Sequence, residues 1–221
     1  LPSEGSLTNL QLLREGHADL AFVQGGTAVL QPEDHEQLRS LGSLFVELLW
    51  LFYREKAARR VSPSGRLDAL PQLQGLRVNV GSAGSGVPTL IDKLLQANHL
   101  DTQALKVSRL EQTPATVAFL AGDIDVLVFA SAPESPMVQM LLQTPGVRLM
   151  DFPQNEAYGR RFPFLTPVTL PRGVVDLASN VPARDVRMVA STTSLLARES
   201  THPALLTLFA QRAQQVHSTA G

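Results

Sequence analysis

The sequence predicts an α/β protein built from two similar lobes, and two observations lead to that prediction. The first is a unit that occurs twice. Gly16-His17-Ala18-Asp19 precedes the apolar run 20–23 and the stop Gln24-Gly25, and Gly122-Asp123-Ile124-Asp125 precedes the apolar run 126–129 and the stop Ala130-Ser131. Each copy reads as a helix end, a glycine suited to a left-handed C-cap, and a strand covered on both faces of a mostly parallel sheet. A repeat this widely spaced implies paired lobes rather than a solenoid, and facing lobes leave a cleft for a small molecule. Ordinary α/β punctuation without duplication is the alternative reading. The second observation is the Gly/Ser segment 81–86, set between an apolar strand and a helix.

Taken in order, residues 6–15 form a helix that Ser6 can cap and Gly16 ends. Strand 20–23 follows, then a loop at 24–27, a short polar helix or turn at 32–40, and an aromatic-rich strand at 47–53. Residues 54–69 are charged and broken by Pro63 and Gly65, and read as a helix or loop leading out of the first lobe. The second lobe opens with strand 76–80, the 81–86 loop and helix 88–97, with proline in the helix's first turn. Strand 107–110, a helix to Ala121, strand 126–129, helix 136–143, strand 147–150 and an extended stretch 163–171 continue it. Residues 185–191 read as a strand returning to the first lobe, and 203–217 as an amphipathic helix with Leu205, Leu206, Phe209, Ala213 and Val216 in register. The expected division is lobe 1 at 1–75 plus 184–221 and lobe 2 at 76–183. By analogy with the second copy, lobe 1 lacks a leading strand, loop and helix of roughly thirty to forty residues, expected upstream.

Composition narrows the function. The 221 residues carry 19 basic and 20 acidic side chains, with no Lys/Arg stripe, which gives no electrostatic case for nucleic acid. The chain has no cysteine, which removes disulfides, thiolate metal sites and cysteine nucleophiles. No run reaches the length of a membrane span. The five histidines have no metal-ligand spacing, Ser82 lacks a nucleophile-elbow context, and Asp123 with Asp125 makes a poor acid/base pair. No catalytic residue, metal or cofactor is therefore expected.

The 81–86 loop is the strongest local motif. A Gly/Ser loop opening a helix turns main-chain N–H groups toward an anion, and Ser82 and Ser85 add hydroxyls. It matches neither the P-loop nor G-x-G-x-x-G, and a tight turn that only caps the helix is the other reading. Gln24 with Gly25 and Gly26 falls on the opposite rim of the cleft, where a Gln can donate and accept. Tyr53 and Arg54 end a strand at a similar level, Arg54 being either a partner for a ligand carboxylate or a solvated start to the charged segment. Phe129, Ala130 and Ser131 end the second repeated strand and can line the cleft.

Several stretches together resemble the solute-binding subunit of TRAP transporters of the TAXI family. They are 4–10 leading to 18–24, 42–44 through 49–54, the 81–86 loop, 162–165 to 170–173, and 202–205. Their order, more than any one of them, carries the resemblance, and it covers nearly the whole chain. It implies a two-lobed type II periplasmic-binding-protein-like fold with a hinge, in which the N-terminal strand and helix of lobe 1 are missing together with the family's first Gly-rich loop. It implies a protein, periplasmic or membrane-anchored facing the periplasm, that captures a small organic anion (amino acid, keto acid or dicarboxylate) for membrane permease subunits. The positions that match the family's ligand-binding loops are Gln24, Ser82, Ser85, Gly86, Phe129 and Ala130, and Gly25, Tyr53, Arg54, Val87 and Ser131 complete the candidate ligand set. The alternatives are the effector-binding domain of a LysR-type regulator, which needs an upstream helix-turn-helix, and an enzyme on the same scaffold, which needs a nucleophile or acid/base pair facing the cleft.

Overall fold

Two unusually long strands organise the molecule. In the computed structural model, which describes residues 2–27, 31–100, 103 and 105–217, β2 (Leu38–Arg54) and β8 (Val186–Arg198) run antiparallel. The remaining strands are β1 (Leu20–Gln24), β3 (Arg77–Asn79), β4 (Lys106–Ser108), β5 (Val126–Ser131), β6 (Val147–Leu149) and β7 (Leu165–Leu170). They form one sheet in the order β1-β8-β2-β5-β3-β4, with β6 added to β2 and β7 to β8.

The lobes are defined by where the long strands change partners. From Leu38 to Leu48, β2 pairs with β8, whose other edge takes β1 along Gln24↔Thr193 to Leu20↔Ala197. From Leu48 onward β2 pairs with β5, in the register Leu48↔Ser131 to Tyr53↔Val126, while the first half of β8 pairs with β7. The smaller lobe 1 therefore contains β1, α1 (Ser6–Arg14), α2 (Asp34–Gln37) and α8 (Pro203–His217). Lobe 2 contains β3 to β7 with α3 (Glu55–Ala58), α4 (Val87–Ala97), α5 (Gln112–Ala121), α6 (Pro136–Gln143) and α7 (Asn155–Arg161).

The apolar run at the end of β2 explains why lobe 2 holds most of the core. Residues 48–53 are all buried, so both faces of the sheet must be covered. Leu49 and Leu51 meet Val78, Val128 and the Leu90-Ile91-Leu94-Leu95 face of α4. Trp50 and Phe52 meet Phe119 of α5 and Val138 and Leu141 of α6 on the other side. The parallel trio β5-β3-β4 is made by α4 and α5 crossing on opposite faces, which opens a crevice at the strands' carboxyl ends.

Both repeated glycines adopt the left-handed conformation, φ 75° at Gly16 and 98° at Gly122, and both follow a helix as the repeat implies. The two strands that follow differ. β5 is buried and pairs in parallel with β3, but β1 pairs antiparallel with β8 and leaves Phe22 47% exposed, so it is not a strand covered on both faces. Ser6 does not cap α1: the N-cap is Gly5, and the Ser6 hydroxyl accepts the Gln24 N–H at 3.0 Å.

The division into lobes also differs from the expected one. Residues 55–75 pack in lobe 2, where Ala57, Ala58, Leu67, Leu70 and Leu73 share a core with Val78 and Leu94. The chain crosses between lobes inside β2 near Leu48 and returns inside β8 near Ser191, not at 75/76 and 183/184. Among the described residues no helix is long and apolar enough to cross a membrane.

Candidate functional site

The site grows out of the β3–α4 connection. β3 ends at Asn79, and Gly81 then turns the chain with φ 88°. The loop closes on itself: the Ser85 N–H and Ser85 Oγ both donate to the Ser82 carbonyl, at 3.1 and 2.9 Å. Packing of the apolar face of α4 against β3 and β5 holds the loop at the sheet's carboxyl edge. Asn79, buried in an otherwise apolar strand, fixes the neighbouring segment. Its Oδ1 accepts the Leu110 N–H at 2.8 Å and the Ser108 hydroxyl at 3.1 Å, and its Nδ2 donates to the Leu110 carbonyl at 3.2 Å. That clamp brings Glu111 and Gln112 to the rim of a cavity of about 340 Å³.

The cavity is walled by both lobes. Gly81, Ser82, Ser85 and Val87 form one side, the end of β5 through Phe129 and Ala130 forms the floor, and Ser3 and Glu4 of lobe 1 close it. Beside it the lobes touch through main chain. The Gly84 carbonyl accepts the N–H groups of Leu7 and Thr8, at 3.2 and 3.4 Å. Those donors are in the first turn of α1, which has no side-chain cap, so lobe 2 supplies the acceptor that the helix start lacks.

Glycines make this approach possible. A Cβ on Gly5 would stand 2.9 Å from Ser85 Cα, and one on Gly86 would meet the Thr27 side chain and stand 2.7 Å from Gln24 Oε1. Further along, Lys93 Nζ donates to the Gly26 carbonyl and lies 5.4 Å from the centre of the Phe164 ring.

Of the residues proposed from sequence, Ser82, Ser85, Val87, Phe129 and Ala130 line this cavity. Gly86 and Gln24 meet at the lobe contact beside it, and Gly25 donates its N–H to the Thr192 carbonyl at 2.7 Å. Phe129 lines the floor, but its ring belongs to the opposite core, 5.9 Å from Phe52. Ser131 lies outside the lining, and its carbonyl accepts Trp50 Nε1–H at 3.0 Å.

Tyr53 and Arg54 are not brought to the cleft. The antiparallel register carries them to the start of β5 at the far end of lobe 2. There Tyr53 is buried beside a separate groove of about 580 Å³, and the Arg54 guanidinium packs at Gly122. A third depression, about 800 Å³ and mostly apolar, lies on lobe 1 between Phe22, Leu195 and Phe209. The sequence reading missed Ser3, Glu4, Asn79, Glu111 and Gln112. Only Asn79 carried a signal, as a polar residue inside an apolar strand.

Asp125, in the second repeated unit, is structural. It accepts the Arg77 main-chain N–H and Nε–H at 3.0 Å and pairs with the Arg77 and Arg60 guanidinium groups at 2.8 and 2.7 Å. Burial pushes its carboxyl up, but the Arg77 bonds and the Arg60 charge outweigh this and hold it at about 2. It joins the amino ends of β3 and β5, opposite the cavity. Among the described residues no group of three His, Asp or Glu could hold a metal.

Solved structures share this architecture. An ancestral arginine-binding protein bound to arginine matches with a TM-score of 0.54 and 13% identity, over 95% of this chain and 70% of that one. The effector binding domain of QuiR in complex with shikimate matches with a TM-score of 0.56 and 16% identity, over 96% and 79%. The GluR0 ligand binding core in complex with L-glutamate gives 0.54 and 12%, over 99% and 75%. Identities this low speak to fold alone, and the fold is that of type II periplasmic binding proteins and of regulator effector domains. The NMT1-like family model matches residues 2–220, and the chain belongs to the NMT1-like family.

Proposed function

We propose that this chain is the solute-binding subunit of a TRAP-type secondary transporter of the TAXI kind. It captures a small organic acid between its lobes outside the cytoplasmic membrane, free or membrane-anchored, and presents it to permease subunits. The observation that carries the reading is the cavity at the carboxyl ends of β3 and β5, walled by both lobes and flanked by main-chain contact between them. A solute that bridges the two walls favours the closed arrangement over the open one, and that differential signals loading.

In this reading a solute carboxylate sits against the 81–86 loop. A thermal-shift screen of the full-length protein against amino acids, keto acids and dicarboxylates tests it, since a tight binder raises the midpoint by mass action. Ser82→Ala with Ser85→Ala is expected to weaken the hit about tenfold or more, the weight of one or two hydrogen bonds to a charged group. Unchanged affinity in calorimetry would remove the loop as the carboxylate site.

The match to an effector domain supports a second reading, the ligand-sensing part of a LysR-type regulator. A DNA-binding element in the parent chain would select it, and pull-down of permease subunits would select transport.

A further inference from the structure

The crossing of the long strands holds a polar cluster that the cavity wall does not include. Gln24 pairs with Thr193 across β1 and β8, and Glu47 pairs with Ser191 across β2 and β8. Directly paired residues share a face and alternate residues do too, so all four side chains stand on the face that carries Leu49 and Val189. Glu47 lies one pleat step, about 7 Å, beyond the Leu49–Ala130 pair at the cavity floor. The Gln24 amide lies against Gly86, next to Val87 of the cavity wall.

Two polar atoms here have no partner although they are buried. Gln24 Nε2 and Ser191 Oγ make no hydrogen bond, in residues only 4% and 1% exposed. An unpaired buried polar group destabilises a fold, so their coincidence on one face points to a polar guest. Glu47 supplies the complementary chemistry. Its carboxylate is half-buried and accepts the Thr193 hydroxyl at 2.8 Å, and it joins none of the salt bridges among the described residues. Lys93, the basic side chain at the lobe contact, is already held by the Gly26 carbonyl and the Phe164 ring. The adjoining cavity is lined by Glu4 and Glu111 and by no Lys or Arg.

We propose that Gln24, Glu47, Ser191 and Thr193 form a head-group subsite for a solute that carries both an ammonium and a carboxylate. Glu47 accepts from the ammonium, while Gln24 Nε2 and Ser191 Oγ donate to the carboxylate oxygen that the 81–86 loop, adjoining Gln24 at Gly86, does not hold. This rests on the solute-binding reading and narrows it to amino acids, because a keto acid or dicarboxylate offers Glu47 no donor and adds negative charge to an acidic cleft.

Calorimetry with matched pairs tests the subsite: alanine with pyruvate, glutamate with 2-oxoglutarate, and arginine as a cationic member, each with wild type, Glu47→Gln and Ser191→Ala. Wild type is expected to prefer the amino acid of a pair by about a hundredfold. Glu47→Gln should lose at least about tenfold for the amino acid while gaining or holding the keto acid. Ser191→Ala removes an unpaired hydroxyl, so it should keep the melting midpoint while weakening the same ligand. Preference for the keto acid or dicarboxylate, or amino-acid affinity unchanged in Glu47→Gln, overturns the subsite and leaves solute binding standing. Binding of none of the panel overturns both.

Discussion

Replacing Asp125 with alanine is expected to cost the fold about 1.5–3 kcal/mol, the range for hydrogen bonds to a charged group, since the Arg60 and Arg77 side chains are 55% and 40% exposed and water solvates them once the carboxylate is gone. The carboxylate is 1% exposed and holds the guanidinium groups of Arg60 and Arg77. Its loss removes the side-chain bonds to Arg77 that reinforce the join between β3 and β5 at their amino ends, while the main-chain bond from the Asp125 N–H to the Arg77 carbonyl stays. The midpoint of urea unfolding, with an unchanged slope, reads the effect. Acid does by titration what the substitution does outright. The folded carboxyl sits at about 2 against an ordinary value of 3.8. Its contribution is therefore complete above the unfolded value and is lost as pH falls through about 4 toward 2. The Asp125→Ala protein should show a flatter decline in stability across that interval. Equal acid sensitivity in both proteins would show that the ion pair is not what acid breaks.

Gly86→Val should weaken cleft binding at least about tenfold and lower the melting midpoint of the empty protein, which loses the contact between its lobes. The backbone at Gly86 has φ −79°, ordinary for any residue, so a side chain causes no local strain. The obstruction lies across the cleft. A Cβ there meets Thr27, which is fully buried and has no room to yield, and the Gln24 amide. The lobes must part to admit it, and a parted cleft loses the Gly84 carbonyl from the start of α1. X-ray scattering should report a larger radius of gyration for the variant, and calorimetry the weaker binding. An unchanged radius with unchanged affinity would show that closure does not use this contact.

The sequence disclosed the fold to the extent that buried periodicity disclosed it. The runs at 126–129 and 48–53 are apolar because both faces of the sheet are covered there, and helix 136–143 was legible to the residue. The repeated Gly and Asp were legible as punctuation, but the two Asp residues play different parts. Asp125 binds arginines, while Asp19 is exposed and offers its carbonyl to the Arg198 N–H at 3.0 Å. The lobe boundary was missed because β2 changes partner in mid-strand at Leu48, where the shift from mixed to apolar sequence reads as the start of a strand rather than as a crossing between lobes. The same fact misplaced Tyr53 and Arg54: a strand end is visible in sequence, but which end of the lobe it reaches depends on antiparallel register. The loop at 81–86 was legible from its glycines. Glu47, Ser191 and Thr193 were not, since they come together only through cross-strand pairing.

Trp50 is the chain's single tryptophan, and its indole is fully buried, stacked 5.8 Å from Phe52, with its N–H on the Ser131 carbonyl where β2 leaves one lobe for the other. The protein thus carries one tryptophan fluorophore, which can be excited apart from its two tyrosines, shielded from solvent and seated next to the pivot. Its emission should be blue-shifted in the native state and move to the red in a single step when the larger lobe melts. Because Ser131 stands so near the pivot, a smaller intensity change on adding a cleft ligand would follow hinge motion without any label.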